Sequence, residues 1–167
     1  RQNPYTNDHH TRRARAEGYP ARSVYKLEEI DRRLRLISRG MRVLDLGAAP
    51  GSWTLYVAER VGPNGRVSAV DRQPILGAFP AQVELLTADA LELDEAVLEP
   101  KGRFDLVLSD MAPNTSGARA SDQAQSYELF LRALRVAERV SSVGSAFVGK
   151  LFMSADFAEA RNQVLLR

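Results

Sequence analysis

Short apolar runs alternate along the chain with longer stretches of helical periodicity, and five of these runs are typical of buried strands. They cover residues 43–46, 67–70, 83–87, 104–109 and 146–152. Helical patterns lie between them, around residues 94–98 and 121–140. An earlier amphipathic helix is predicted to begin after a capping Ser23 and to end near Gly40. The alternation predicts an α/β fold with a mostly parallel, doubly wound sheet.

The carboxyl ends of the predicted strands are the place where a doubly wound sheet binds its ligands. A glycine or a charged residue follows each strand at this edge. These residues are Gly47, Asp71, Asp89, Asp110 and Lys150. We therefore expect them to form one binding site, although they come from five separate segments of the chain.

The stretch VLDLGAAPGSWTLYVAERVGPNGRVSAVD, residues 43–71, has the organisation of a nucleoside-binding βαβ unit. Small residues between Gly47 and Gly51 let main-chain amides approach a ligand at the start of the next helix. The carboxylate of Asp71, after the second strand, can accept hydrogen bonds from both ribose hydroxyls. The unit is predicted to hold an adenosine, although a tight strand-to-helix turn alone would also explain the two glycines.

The loop after the first strand also indicates which adenosine ligand fits. It lacks the G-x-G-x-x-G pattern of dinucleotide sites, because it reads Gly47-x-x-x-Gly51 with Pro50 inside it. Asp45 lies close by, and its carboxylate would repel a diphosphate but attract a cation. S-adenosylmethionine carries a sulfonium and an ammonium group, so it fits this pattern better than a nicotinamide dinucleotide does.

Asp110 and Lys150 follow the fourth and fifth strands, which we expect to be neighbours, so their side chains are predicted to meet. Lys150 is then suited to act as a general base, if partial burial and a second cation such as Lys26 favour the uncharged amine. Asp110 would position that amine and face the sulfonium. Simpler interpretations stay open: Lys150 as a clamp for a phosphate or carboxylate, and Lys26 as a solvated residue of its helix.

Three other residues have both a functional and a structural interpretation. Asp89 can accept a hydrogen bond from the exocyclic amine of adenine, or it can cap the turn that follows the third strand. Trp53 is more typical of a core residue than of a ligand contact. Asn114 lies in a Pro-Asn turn and is expected to shape it.

The composition favours one globular domain without disulfides. The 167 residues, 44% of them hydrophobic, are enough to bury a sizeable core. Cysteine is absent, and the two histidines, His9 and His10, are adjacent in a polar segment, so no metal site and no histidine base is expected. We find no apolar run long enough to span a bilayer and no cleavable leader, and we therefore expect a cytoplasmic protein without a membrane partner.

Positive charge is concentrated at the start of the chain. Residues 1–39 hold ten Lys and Arg against five Asp and Glu, whereas the net charge of the whole chain is +2. Three tyrosines are interleaved with the arginines, which is a mixture suited to phosphates and bases of RNA. They are Tyr5, Tyr19 and Tyr25. We expect a basic, flexible segment over residues 1–22 and a catalytic domain over residues 23–167; a solvated tail with packed tyrosines is the alternative.

Taken together, these motifs resemble the FtsJ/RrmJ family of S-adenosylmethionine-dependent ribosomal RNA 2′-O-ribose methyltransferases. The resemblance runs from about Arg13 to the end of the chain through ARSVYKLEEID, VLDLGAAPGSWT, GRVSAVD, DLVLSDMAPNTSG and GKLF. It implies a Rossmann-like methyltransferase fold, the cofactor S-adenosyl-L-methionine and the product S-adenosyl-L-homocysteine. It further implies a uridine of 23S ribosomal RNA as the substrate, met within the large ribosomal subunit and without an obligate protein partner.

The family uses a Lys-Asp-Lys-Glu catalytic tetrad, and three of its members have matching motifs in this chain. They are Lys26 in YKLEEI, Asp110 in SDMAPN and Lys150 in GKLF. In the family's scheme the residue matched by Lys150 accepts the 2′-hydroxyl proton while the oxygen attacks the methyl group. The cofactor contacts carried over by motif are Gly51, Trp53, Asp71, Asp89 and again Asp110.

The glutamate of the tetrad has no match in this chain. The family places it in a later strand, whereas this chain ends at Arg167, and the last two strands expected of a methyltransferase sheet are also missing from the pattern. We therefore expect the natural protein to be longer. The sequence leaves open a transfer RNA or cap 2′-O-methyltransferase, and a protein that binds RNA and S-adenosylmethionine without turnover.

Overall fold

The strands of the described residues form one sheet in the order β3-β2-β1-β4-β5. The computed structural model describes residues 9–154 and 157–165. Its strands are β1 (Arg42–Leu46), β2 (Arg66–Asp71), β3 (Val83–Thr87), β4 (Phe104–Ser109) and β5 (Ser141–Gly149). All neighbouring pairs are parallel. The strand order reverses between β1 and β4, which confirms the predicted doubly wound α/β fold and marks the edge where a ligand would bind.

Helices cover both faces of the sheet. They are α1 (His9–Ala16), α2 (Val24–Leu34), α3 (Ser52–Val61), α4 (Arg119–Val140) and α5 (Phe157–Leu165). Alternate residues of a strand point to opposite faces. Leu106 and Leu108 of β4 therefore share a core with Val57 of α3, whereas Val107 shares one with Ala133 of α4. None of the described helices combines the length and apolarity that a membrane span needs.

Strand β5 differs from its prediction at both ends. The apolar run predicts residues 146–152, whereas the strand covers Ser141–Gly149. Its pairing with β4 starts with Ser141 opposite Phe104 and passes through a register shift, which allows the polar residues before Ala146 to join the strand. At its other end the amide of Phe152 donates to Oγ of Ser126 at 2.9 Å instead of to a strand. Lys150 therefore lies just beyond the sheet.

Helix α2 is shorter than predicted and begins without the predicted cap. Ser23 makes no side-chain capping hydrogen bond. Arg35 takes a left-handed conformation, with a φ of 52°, directly after the helix. The carboxylate of Asp31 accepts a hydrogen bond from the amide of Ile37 at 2.8 Å, which fixes this turn. The apolar stripe continues to Ile37, but the helix ends at Leu34.

Two short elements also depart from the sequence pattern. Helix α1 was not predicted, and its Ala14 is buried. The helical pattern at residues 94–98 corresponds to two 3-10 turns, Glu95–Val97 and Glu99–Lys101. Asp94 begins the first of them by accepting a hydrogen bond from the amide of Ala96. The pattern therefore marked the right place but overstated the length of regular helix.

Candidate active site

A cavity of about 550 Å³ opens at the carboxyl ends of the strands. Its wall comes from the ends of β1, β2, β3 and β4 and from the first half of α4. The lining residues that bear on the chemistry are Gly47, Asp71, Arg72, Asp89, Leu91, Asp110, Met111, Asn114, Gln125 and Glu128. Four of the predicted site residues, Gly47, Asp71, Asp89 and Asp110, therefore share one cavity.

The loop after β1 needs glycine at both of its ends. Gly47 has a φ of 75°, and a Cβ at this position would lie 2.5 Å from Cγ of Met111. Only glycine therefore lets the segment after β4 approach the loop this closely. Gly51 has a φ of 104° and lies against the ring of Phe79, outside the cavity wall. Gly51 thus shapes the loop, whereas Gly47 borders the cavity.

Asp71 is held by main-chain amides on both of its oxygens. Oδ2 accepts a hydrogen bond from the amide of Ala49 at 2.9 Å, and Oδ1 accepts one from the amide of Gln73 at 2.7 Å. Each carboxylate oxygen has a further lone pair, so the group keeps acceptor capacity for a diol. The side chain is therefore fixed at the cavity wall before any ligand binds.

Asp89 combines the two interpretations that the sequence left open. Its Oδ1 accepts a hydrogen bond from the amide of Leu91 at 2.9 Å, which is the turn-capping arrangement. The same residue lines the cavity. One carboxylate oxygen therefore organises the loop while the side chain remains on the wall.

Asp110 and Lys150 meet, as the neighbouring strands require. Nζ of Lys150 lies 3.1 Å from Oδ1 of Asp110, forming an ion pair. The direction of this contact does not satisfy a hydrogen bond, and Nζ instead donates to the main-chain oxygen of Asp110 at 3.4 Å. The Lys150 side chain retains 29% exposure. The amine is thus held beside the cavity but remains open to solvent.

Lys26 is not paired with either of these residues. It is exposed on the first turn of α2, and within the described part of the chain its side chain has no ion-pair partner. The start of α2 is tied to α3, because Nε1 of Trp53 donates to the main-chain oxygen of Ser23 at 2.9 Å. Lys26 lies about 4.5 Å further along the helix axis than Ser23.

Trp53 contributes to packing and not to the cavity wall. Only 5% of the residue is exposed, and its indole N–H is occupied by Ser23. The core interpretation that the sequence favoured for Trp53 fits this position. Trp53 is not among the lining residues of the cavity, and its contact with a cofactor, which came from the motif, stays a prediction.

Asp45 is fully buried, which changes the electrostatic expectation for it. Its Oδ2 accepts a hydrogen bond from Oγ1 of Thr54 at 2.7 Å, while Oδ1 has no partner among the described residues. Burial raises the pKa of Asp45 to about 7, against the lowering effect of the Thr54 hydrogen bond; the carboxylates of Asp110 and Asp71 contribute to the rise. Asp45 is therefore not a fixed negative charge on the cavity wall.

Helix α4 supplies contacts to the site that the sequence did not predict. Asp122 accepts hydrogen bonds from the amide and the hydroxyl of Ser116, in the loop that follows Asp110. Ser126 accepts one from the amide of Phe152, two residues after Lys150. In the sequence, polar residues on a helix indicate a solvent-exposed face. Only the packing of α4 on the sheet shows which of these side chains contact the rest of the protein.

Arg72 and Asn114 connect two sides of the cavity. Nη2 of Arg72, directly after β2, donates to Oδ1 of Asn114, beyond β4, at 3.1 Å. Both residues line the cavity. Arg72 follows the predicted diol-binding Asp71, and this adjacency was the available signal for it.

The basic N-terminal region is partly described. Residues 1–8, which include Tyr5, lie outside the described residues. Tyr19 donates its hydroxyl to Glu59 at 3.0 Å and Tyr25 donates to Glu17 at 2.9 Å, while the guanidinium of Arg13 lies 4.4 Å from the ring centroid of Tyr25. Tyr19 and Tyr25 therefore already have contacts within the protein.

No cluster of three or more His, Cys, Asp or Glu side chains suited to a metal ion occurs within residues 9–154 and 157–165.

Comparison with protein families gives one match over most of the chain. The model of the FtsJ-like methyltransferase family matches residues 19–167. That range contains each predicted catalytic and cofactor-binding residue.

Two relatives carry the name ribosomal RNA large subunit methyltransferase E. The chain is 57% identical to the protein of Sorangium cellulosum over 161 residues, which are 96% of this chain and 76% of that protein. It is 52% identical to the protein of Nitratidesulfovibrio vulgaris over 155 residues, covering 91% of this chain and 76% of that protein.

A solved structure shares the fold. A protein of Plasmodium falciparum described as a ribosomal RNA methyltransferase superposes with a TM-score of 0.79 at 22% identity, and the alignment covers 88% of this chain and 86% of the other. At this identity the likeness supports the fold alone.

Proposed function

The chain belongs to the FtsJ-like methyltransferase family, and from this premise we propose that it methylates a ribose 2′-hydroxyl of large-subunit ribosomal RNA with S-adenosylmethionine. The relatives at 57% and 52% identity support ribosomal RNA as the acceptor. A substrate of this kind is made and assembled in the bacterial cytoplasm, so we also propose that the protein acts there. The single observation that carries the chemistry is the contact between Lys150 and Asp110 beside the cavity.

The residues of the cavity fit an adenosyl ligand. Asp71 presents a carboxylate oriented by two amides, which suits the two ribose hydroxyls. Asp89 and Leu91 on the next loop offer an acceptor and an apolar surface, which suit a purine. The close approach of Met111 to Gly47 shapes the wall between these residues and Asp110. When bound, S-adenosylmethionine supplies a methyl group activated by a sulfonium.

Lys150 is proposed as the general base. In the uncharged form its Nζ takes the proton of the ribose 2′-hydroxyl, and partial exposure lets the RNA reach it. Asp110 positions this amine through its carboxylate and its main-chain oxygen. Lys26 is proposed to contact the RNA phosphate beside the target, because it is an exposed cation near the start of α2, which is tied to the start of α3. Alignment of the reacting groups provides the larger part of the rate, of the order of 7 to 11 kcal/mol.

The test is a methyl-transfer assay with the full-length protein. Large ribosomal subunits from cells that lack the gene would be incubated with labelled S-adenosylmethionine, and the RNA digested to nucleosides for mass spectrometry. We expect one 2′-O-methylnucleoside. A methyl group on a base, or none on large-subunit RNA, would refute the proposal.

A variant of Lys150 tests the role of the general base separately from the binding of the cofactor. Lys150→Ala is expected to lower turnover by about 10² to 10⁴, which is the range for removal of a positioned base. Affinity for S-adenosylhomocysteine should change less than about 2-fold, because Lys150 lies outside the cavity wall. Lys101→Ala, a lysine paired with Glu84, serves as the control and should retain activity. Normal turnover of Lys150→Ala would eliminate the base assignment.

A further inference from the structure

Arg132, in the middle of α4, binds one loop at three points. Its Nε donates to the main-chain oxygen of Ala90 at 2.9 Å, and its Nη2 donates to that of Leu93 at 2.7 Å. Its Nη1 donates to Oε1 of Glu95 at 2.7 Å. Only 19% of the Arg132 side chain is exposed. The planar guanidinium therefore uses its donors for hydrogen bonds within the protein, to a segment that belongs to a different element.

The segment it holds, residues 88–95, follows β3 and will be called the β3 loop. Asp89, Ala90 and Leu91 of this loop form one side of the cavity. At its start the amide of Ala88 donates to the main-chain oxygen of Asp71 at 2.9 Å, which ties the loop to the end of the neighbouring strand β2. Arg132 is the tie at the other end. Asp89 lies between the attachments at Ala88 and Ala90, and Leu91 lies between the two main-chain oxygens that Arg132 binds.

Glu95 fixes the guanidinium from the other side. Its second oxygen, Oε2, pairs with Nη1 of Arg139 at 3.1 Å. Burial opposes ionisation, but a hydrogen bond from the main chain and the two arginines outweigh it and keep the pKa of Glu95 below its ordinary value. Arg139 is 68% exposed and pairs with Glu95 through this one contact. Arg139 therefore contacts the same carboxylate as Arg132 but does not bind the main-chain oxygens of the β3 loop.

We infer that Arg132 is a positioning residue for cofactor affinity: it sets the separation of the β3 loop from Asp71 and so the fit of the cavity to an adenosyl group. This inference rests on the proposed function, because it needs the cavity to take that cofactor. Arg132 acts through Asp89 and Leu91 and lies outside the wall itself. Its loss therefore affects binding and leaves the group beside Asp110 in place.

The test compares variants of α4 arginines in the full-length protein. Arg132→Met removes the donors at similar length, and Arg132→Lys keeps the charge with one donor group. Calorimetry would give the dissociation constant for S-adenosylhomocysteine, and steady-state assays would give the KM for S-adenosylmethionine and the kcat. Arg132→Met is expected to raise the dissociation constant and KM by about 10-fold to 100-fold, the range for hydrogen bonds to a charged group. The kcat at saturating cofactor should stay within about 2-fold.

Two matched variants isolate the loop contacts. Arg135→Met, exposed on the same helix, and Arg139→Met, which loses only the contact with Glu95, should bind S-adenosylhomocysteine like the unaltered protein. A lower thermal midpoint with unchanged affinity in Arg132→Met would mean a purely structural role and would overturn the inference. If Arg132→Met does not fold, Arg132→Lys decides the matter, since unchanged affinity would overturn it as well. If the unaltered protein fails to bind S-adenosylhomocysteine, the proposed function fails instead.

Discussion

At the scale of single residues, three carboxylates near the cavity have different environments and therefore different uses. Asp71 is held by two amides and borders the cavity. Asp110 is paired with Lys150. Asp45 has neither an amide nor a cation and is fully buried. The sites of the first two were predicted from their position after a strand, because the carboxyl ends of parallel strands meet at one edge of the sheet. The burial of Asp45 depends on the packing of α3 over it, which no local sequence pattern indicates.

Asp45 should make the stability of the fold depend on pH. In the unfolded chain an aspartic acid ionises near pH 3.9, whereas burial raises the pKa of Asp45 in the folded protein to about 7. The folded state therefore keeps a proton that the unfolded state releases. The stabilisation from this group is complete below about pH 4 and is lost as the pH rises to about 7.

Asp45→Asn removes this dependence, because the amide stays neutral and its oxygen can still accept from Thr54. Urea unfolding between pH 4.5 and 8.5 measures the free energy of unfolding. As the pH rises, that of the variant should increase relative to that of the unaltered protein by at most about 4 kcal/mol, with no further change above pH 8. Glu29→Gln, at an exposed site of α2, should show no such trend. A constant difference between Asp45→Asn and the parent would show that Asp45 is charged in the folded protein.

At the scale of elements, α4 connects the loops that carry the site. Asp122 holds the loop beyond Asp110, Ser126 holds the segment beyond Lys150, and Arg132 holds the β3 loop. These contacts fall along one helix of 22 residues. Several strands thus provide the reactive groups, while one helix determines how their loops are placed.

The contact of Ser126 should matter for turnover more than for cofactor binding. Ser126→Ala leaves the partly buried amide of Phe152 without its acceptor, at a cost of up to about 1 to 3 kcal/mol, and loosens the segment that holds Lys150. We expect kcat to fall by about 10-fold, with affinity for S-adenosylhomocysteine unchanged within about 2-fold. Ser38→Ala, at an exposed site after α2, is the control. A rise in the dissociation constant with normal kcat would contradict this role.

The sequence predicted the elements well where local chemistry decides them. β3 and β4 have the predicted bounds. In each of them the apolar run ends at a polar residue, and the strand ends at the same residue. β5 was misplaced because its first residues, Ser141 to Ser145, join the sheet only through a register shift against β4. The contacts of Arg132 and Ser126 were also missed, since a polar residue on a long helix has the same pattern whether it faces solvent or a docked loop.

At the scale of the whole molecule, positive charge is concentrated at the start of the chain, in a region that contacts α2 and α3. The segment after α1 is tied to α3 at two points: the amide of Ala21 donates to Oγ of Ser52, at the start of α3, at 2.7 Å, and the hydroxyl of Tyr19 donates to Glu59, near the end of α3. Arg12 and Arg15 are exposed on α1. We expect RNA phosphates to contact these exposed arginines and not the tyrosines, whose hydroxyls are occupied.

RNA affinity should accordingly depend on salt through α1. Each phosphate contact on single-stranded RNA contributes about 0.7 to the slope of log affinity against log salt, so the double variant Arg12→Gln, Arg15→Gln should flatten that slope by about 1.4. Fluorescence anisotropy of labelled RNA at several potassium chloride concentrations measures it. Arg135→Gln with Arg139→Gln removes the same charge from α4, which covers the opposite face of the sheet from α2 and α3, and should leave the slope unchanged. Equal slopes for both double variants would mean that net charge alone, and not α1, attracts the RNA.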